Sequence, residues 1–470
     1  MRNCVLSFLF FLLFVPLLGQ MSPGGASPLL ESAHYGILLK PLGDSGSSVA
    51  YQSDKSFTPA SVMKLLTTAT ALETLGGDFR YVTKLQYSGE IVDGVLHGDV
   101  VIVGSGDPTL GSIHFYEHPD AFLDVWASEI QSLGIDSITG TVVADASVFD
   151  KQVIPDKWIW EDIGNYYGAG CYGLSVFDNM YSLYFGATEV GDLTSIDSVR
   201  PQVALLSFDN HVVAADNNRD NAYIYGSPWG FEKQIFGSIP AGRGAFRIKG
   251  ALPNPPLLLA AMLQERIQRK GIVVAKPARV LWEKNVTSNT TISRWFSPSL
   301  VDIIKVTNKE SNNLFAEHLL KTIAVNPSAS ASLSSAIDMM MAFWADKGLQ
   351  TAGVKVYDGS GLSRASLLTP GFVVGMLEYM LSTSTNAEGY LTSLATSGVD
   401  GTFKYFLDGT ELQGKVHGKS GSMSGVRCYA GVIDRSPGER YVFCIMVNNF
   451  TASSAAVRNA IENHLLDLLR

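Results

Sequence analysis

The clearest periodicity lies near the C-terminus, where Val457, Ile461, Leu465 and Leu469 recur at spacing four and predict a helix over 455–469 with one apolar face. Just before it, two runs of β character, 426–433 and 441–447, flank Ser436-Pro437-Gly438, the pattern of a hairpin. The other end of the chain is built alike. Residues 34–40 and 48–52 read as strands joined by the turn Leu42-Gly43-Asp44-Ser45-Gly46. Thr58-Pro59-Ala60 then reads as a turn into a helix, which the apolar run 65–75 continues until Gly76-Gly77 stops it. Strands at both ends and a terminal helix predict one antiparallel sheet closed by the two ends of the chain.

The long middle is patterned too. Residues 82–86, 90–92, 99–103 and 137–144 read as strands, and a helical run over 256–270 precedes Gly271-Ile272-Val273-Val274. Gly104-Ser105-Gly106-Asp107-Pro108 is glycine-rich, yet no Lys-Ser/Thr follows it, so it reads as a structural turn rather than a nucleotide loop. A helix is predicted over 314–323. The chain thus divides into a segment 28–80, an insertion 81–290 of one domain or two, and a returning segment 291–470.

Residues 1–20 have the form of a signal peptide: Arg2 as a positive start, an apolar run over 5–18, and Gly19 or Gln20 at a plausible cleavage site. That run is shorter than the roughly 20 residues of a spanning helix, no later segment looks transmembrane, and no cysteine follows for a lipid anchor. Residues 22–29 form a Gly/Pro/Ser-rich leader. The mature protein is expected to be exported, periplasmic or associated with the cell envelope. Cys4 would leave with the signal, and Cys171, Cys428 and Cys444 are an odd set without metal-like spacing. Buried free thiols are expected, with no disulfide assigned.

At 470 residues the chain is too long for one core. Its net charge of −9 and lack of any basic run argue against nucleic acid. An anionic part of a substrate must therefore meet specific cations. The eight histidines form no His-Glu-x-x-His, and no Gly-x-Ser-x-Gly occurs. His97, His114 and His118 fall in loops of the insertion and His417 decorates a strand edge, so no metal or cofactor is expected.

Three short motifs carry the chemistry: Ser61-Val62-Met63-Lys64, Ser311-Asn312-Asn313 and Lys419-Ser420-Gly421. Ser-x-x-Lys on a helix puts hydroxyl and amine on one face, their Cβ atoms roughly 5–6 Å apart. A neutral lysine there can take the serine proton, and the helix N-terminus favours developing negative charge. Each motif alone is commonplace. The ordered trio, the second ahead of a helical run and the third opening a strand, is that of serine β-lactamases and penicillin-binding proteins. It implies covalent acyl transfer with Ser61 as nucleophile and Lys64 as base. The pKa of Lys64 would be depressed by desolvation or by a cation, for which Lys419 is the natural choice. Ser311 would relay a proton to the leaving amine. Asn313 would orient Lys64 and hydrogen-bond the substrate amide. The N–H groups of Ser61 and Ser422 would form the oxyanion hole, with Lys419, Ser420 and Gly421 holding the substrate and its carboxylate.

Across nearly the whole mature chain the sequence resembles the type-4 (class C) penicillin-binding proteins, the D-alanyl-D-alanine carboxypeptidases/endopeptidases of peptidase family S13. The likeness rests on Thr58-Pro59-Ala60-Ser61-Val62-Met63-Lys64, Gly104-Ser105-Gly106-Asp107-Pro108-Thr109-Leu110 and Trp160-Glu161-Asp162-Ile163-Gly164-Asn165-Tyr166-Tyr167. It continues in Asp358-Gly359-Ser360-Gly361-Leu362-Ser363-Arg364, Gly398-Val399-Asp400-Gly401-Thr402 and the long insertion. Lys-Ser-Gly replaces the family's usual Lys-Thr-Gly, a change that keeps the hydroxyl. The resemblance implies an α/β (α+β) serine penicillin-recognising fold, an antiparallel sheet flanked by helices with a mainly β insertion. It also implies peptidoglycan stem peptides as substrates and β-lactams as covalent inhibitors. Asp162 and Arg364 would bind the zwitterionic end of meso-diaminopimelate, with Tyr167 packed on its methylenes. A β-lactamase or esterase on the same scaffold is the enzymatic alternative, and a non-catalytic wall-binding protein the other. Glu161 to Asn165 matches a β-lactamase deacylation element, Glu-x-x-x-Asn, but precedes the Ser-x-Asn motif instead of following it.

Overall fold

The computed structural model describes residues 27–43, 47–186, 188–284 and 289–470. The signal segment, Cys4, the first part of the leader and the tip of the turn at 44–46 lie outside these residues. Both ends of the chain do build one sheet. Its order is Ala395–Thr396, Val416–Met423, Val426–Ser436, Glu439–Asn448, His34–Pro41, Val49–Tyr51, with every neighbour antiparallel. His34 pairs with Asn448 and Pro41 with Tyr441, so the first long strand seats on the last.

The central strands read as unbroken apolar runs because both faces are covered. Side chains alternate across a sheet. Tyr35, Ile37, Leu39, Phe443, Ile445 and Val447 point to one face, where the helix Ser454–Leu468 covers them with Val457, Ile461 and Leu465, all three fully buried. Val442, Cys444 and Met446 point to the other, against the helices Met63–Leu75 and Pro370–Ser382. Cys171, Cys428 and Cys444 are all buried free thiols.

The helix Met63–Leu75 runs through the middle of that second layer, buried from Met63 to Leu72. Two of its threonines bond back into the helix, Thr68 Oγ1 donating to the Lys64 carbonyl (2.7 Å) and Thr70 Oγ1 to that of Leu66 (2.7 Å), while Thr67 Oγ1 donates to the Gly359 carbonyl (2.7 Å). The predicted α-helical start at Ser61 is replaced by a tighter turn, Ala60–Val62 in 3-10 form, with Ala60 at φ 45°. The end is as expected, at Gly76 with φ 83°.

The stretch 81–290 holds separate sheets. Val82–Ser88 lies between Asn289–Phe296 and Val100–Val103 in a five-stranded sheet continued by Val142–Asp145 and Arg279–Leu281. A four-stranded sheet joins Val273–Val274, Ser137–Ile138, Val95–His97 and Glu90–Val92. The predicted strand over 137–144 is therefore two, broken at Gly140, whose N–H donates to the Gly98 carbonyl (3.0 Å). Helices Ala121–Ser132 and Pro255–Arg269 close this core with Trp126, Leu259 and Leu263. Two three-stranded sheets lie between 180 and 251 around a further core of Tyr181, Phe185, Ile224 and Ile235. No elements are predicted there, where polar or charged residues and glycines break the pattern of several strands, as in Glu232–Pro240 and Phe246–Ala251. Among the described residues no helix is long and apolar enough to cross a membrane.

Candidate active site

Ser61 stands at the turn into the buried helix, and three neighbours fix the amine one turn later. Lys64 is fully buried. Its Nζ lies 3.0 Å from Ser61 Oγ, 2.6 Å from Asn313 Oδ1 and 2.8 Å from the Ser360 carbonyl oxygen. Burial lowers its pKa to about 7, against the opposing pull of Asp358 and Glu317. An ammonium donates to all three partners. A neutral amine keeps two N–H bonds, to Asn313 and Ser360, and turns its lone pair to Ser61 Oγ. The two fixed acceptors thus aim the base.

Asn313 opens the helix Asn313–Ile323, capped by the Asn312 side chain on the Phe315 N–H. Its Nδ2 donates to the Tyr167 carbonyl (2.8 Å), which leaves one amide hydrogen for a substrate. His318, five residues on, donates from Nδ1 to the Gly106 carbonyl (2.7 Å) and meets Ser175 Oγ at Nε2 (3.0 Å). The glycine-rich turn is thereby structural, packed beneath the helix that carries Asn313. Ser311 sits just before the helix at φ 57° and lines the same cleft as Ser61.

Lys419 and Ser420 lie in the strand Val416–Met423, behind the cleft wall. Lys419 is fully buried and its Nζ donates to the Ser420 carbonyl (2.8 Å). Its pKa falls well below the ordinary lysine value, first through burial and then through the charge of Lys64. Gly421 lets this strand reach the nucleophile: a Cβ there would sit 2.4 Å from the Pro59 carbonyl oxygen and 3.1 Å from the Ser61 nitrogen. Ser422, the next residue of the strand, lines the cleft together with Ser61.

Asp162, Tyr167 and Arg364 line this cleft of about 610 Å³ together with Ser61, Ser311 and Asn313. Burial raises the Asp162 pKa above the ordinary carboxylate value, while the Tyr167 hydroxyl and the Arg364 guanidinium pull it back. Carboxylate, phenol and guanidinium therefore share one neighbourhood. Asn165 is not a deacylation partner. It is buried, with Nδ2 on the Glu161 carbonyl (2.7 Å) and Oδ1 accepting from the Ile224 N–H (3.1 Å).

Two carboxylates that the motifs do not reveal hold the Ser360 carbonyl in place. Glu317 accepts from the N–H groups of Gly359 (3.0 Å) and Ser360 (2.8 Å). Asp358 accepts from Trp158 Nε1 (2.9 Å), the Ser363 N–H (2.7 Å) and Ser366 Oγ (2.9 Å). Burial raises the Glu317 pKa, with the charge of Asp358 adding to it. Its signal in the sequence was position: Glu317 stands four residues after Asn313, on the same helical face. Glu317→Gln replaces one of two acceptor oxygens with a donor facing an N–H. It is expected to lower stability by about 1–3 kcal/mol, read from the urea midpoint. Among the described residues no cluster of histidine, cysteine or carboxylate could hold a metal.

Known proteins share this architecture. The D-alanyl-D-alanine carboxypeptidase of Actinomadura sp. (strain R39) is 28% identical over 94% of this chain and 82% of its own length. The D-alanyl-D-alanine carboxypeptidase DacB of Haemophilus influenzae is 24% identical over 90% of this chain and 87% of its own. The crystal structure of penicillin binding protein 4 (dacB) from Haemophilus influenzae, 23% identical, superposes with a TM-score of 0.81 over 94% of this chain and 98% of that one. The penicillin-binding fold expected from the sequence is therefore present, inserted sheets included. Matched by the family's model from residue 20 to residue 469, the chain belongs to the D-Ala-D-Ala carboxypeptidase 3 (S13) family.

Proposed function

We propose that this protein is an exported serine DD-peptidase of the cell envelope. It hydrolyses D-Ala–D-Ala termini, D-Ala–diaminopimelate cross-links, or both, in peptidoglycan stem peptides. The observation that carries the reading is the aimed amine, Lys64 Nζ at 3.0 Å from Ser61 Oγ with two fixed acceptors behind it. Family membership and the D-Ala-D-Ala carboxypeptidase relatives support the substrate class.

Ser61 Oγ attacks the carbonyl carbon of the penultimate D-Ala while its proton passes to Lys64. The N–H groups of Ser61 and Ser422 take up the charge on the carbonyl oxygen. The C–N bond breaks as a proton reaches the leaving amine through Ser311, leaving an ester on Ser61. Water then adds to that ester, giving its proton to Lys64, and Ser61 Oγ leaves reprotonated. In this reading Ser420 takes the terminal carboxylate, with Lys419 lending its charge from behind the cleft wall. Asp162, Tyr167 and Arg364 receive the diamino acid side chain, carboxylate to ammonium and guanidinium to carboxylate. The chemistry thus resides in 28–80 and 291–470. The insertion 81–290, whose sheet pairing runs on to Phe296, shapes and lines the cleft.

The first test is mass spectrometry of protein treated with a β-lactam. A long-lived covalent adduct on Ser61 is expected, together with release of D-Ala or cleavage of dimers from purified muropeptides. An unmodified Ser61 would overturn the reading, and rapid turnover of a chromogenic β-lactam would favour a β-lactamase instead.

A further inference from the structure

Beyond the residues assigned above, the same cleft is lined by His114, Asp178, Met180 and Lys249, all supplied by the insertion. Lys249 lies on the strand Phe246–Ala251, paired with Ser182 of the neighbouring strand. Its Nζ stands 5.4 Å from the centre of the Tyr166 ring. Tyr166 in turn packs edge-on against Tyr167, ring centres 5.5 Å apart, and it is the Tyr167 carbonyl that holds Asn313. An ammonium is therefore seated one side chain beyond the reacting centre.

Lys249 has no ion-pair partner within 4.0 Å among the described residues, only an aromatic face. The nearest carboxylate is already occupied. Asp178 accepts from Ser112 Oγ (2.5 Å) and from the Ile113 N–H (3.2 Å), and so ties down the 112–114 turn. Asp178 is kept there by three successive non-glycine residues in the left-handed region, Phe177, Asp178 and Asn179, at φ 55°, 53° and 46°. Arg247 lies two residues along the same strand and so on the same face as Lys249. Burial lowers the Lys249 pKa and the charge of Arg247 lowers it further, with Asp178 acting in the opposite sense. In a protein of net charge −9, a half-buried cation beside a second cation, in a substrate cleft, is matched by an anion.

Resting on the stem-peptide reading above, we propose that Lys249 is a specificity-determining contact. Seated on Tyr166 with Arg247 beside it, it binds the free α-carboxylate of the residue preceding the diamino acid, on the acyl side of the scissile bond. That residue is joined through its side-chain carboxyl, so its α-carboxylate is free unless amidated. Arg364 is left to the diamino acid's own carboxylate.

The test compares synthetic stem pentapeptides with that α-carboxylate free or amidated, and a third amidated on the diamino acid instead. Titration with a β-lactam counts active Ser61 in each preparation, which corrects for any misfolded fraction. The parent enzyme is expected to prefer the free acid by about five- to tenfold in kcat/KM, expressed mainly in KM. Lys249→Gln should erase that preference and Lys249→Arg retain it. A preference that survives Lys249→Gln would overturn the proposal. So would a Lys249→Gln effect that disappears only when the diamino acid is amidated, since the partner would then be the other carboxylate. Absence of any peptide turnover despite stoichiometric acylation would remove the stem-peptide reading and this subsite with it.

Discussion

Lys64→Ala should slow acylation of Ser61 by about 10³–10⁴-fold while changing substrate affinity little. The amine is the group within hydrogen-bond reach of Ser61 Oγ that can accept its proton, and it contributes to attack rather than to ground-state binding. The pH dependence provides a second readout. Lys64 must be neutral to act, and its pKa lies at about 7. The parent's acylation rate should therefore climb about tenfold per unit below that value and level off above it. In the variant this limb should vanish. Because Lys64 is fully buried, truncation also leaves a cavity, so Lys64→Met, which fills the space without an amine, should show the same kinetic loss. Stopped-flow acylation by a fluorescent penicillin measures both. An equal loss in affinity and rate, or an unchanged pH limb, would remove Lys64 from the role of base.

Gly421→Ala should cost about 10²–10³-fold in kcat, although it adds one methyl group far smaller than any substrate. The new carbon would stand 2.4 Å from the Pro59 carbonyl oxygen, and backbone on both sides must give way. The Pro59 turn leads into Ser61, and the Gly421 strand carries the Ser422 amide. Separating them would part the Ser61 and Ser422 amides, the two donors proposed for the oxyanion. Affinity for stem peptide should fall less, because the residues proposed to bind the diamino acid, Asp162, Tyr167 and Arg364, are carried by other segments. Single-turnover kinetics distinguish the two quantities. A variant with parental kcat would show that the strand need not lie against the nucleophile.

The parts of the fold that the sequence made legible are those where pattern and burial agree. The C-terminal helix is one: its stripe of Val457, Ile461 and Leu465 is the face buried on the sheet. The hairpin at Ser436-Pro437-Gly438 is another, its turn made by Gly438 at φ 83°. The site was legible for a different reason. Ser61, Lys64, Ser311, Asn313 and Lys419 belong to short motifs whose order along the chain carries information even when their separation in space does not. Glu317, Asp358 and Trp158 were not assigned roles, because they act at one remove from the reacting groups: Glu317 on the Gly359 and Ser360 amides, and Trp158 on the Asp358 carboxylate. The strands between 180 and 251 escaped because several are half-exposed and carry polar runs, such as Ser207–Ala215, which opens Ser-Phe-Asp-Asn-His.

The pairing of His34–Pro41 with Glu439–Asn448 has a bearing on biosynthesis. A ribosome adds about 5–20 residues per second, so roughly 20–80 s separate the emergence of the first strand from that of the partner it requires. Throughout that interval the strand His34–Pro41 lacks its partner, and for most of it Lys419 has yet to be made. The active centre thus stays incomplete until the strand Glu439–Asn448 has been made, so the connectivity itself delays the chemistry until late in synthesis.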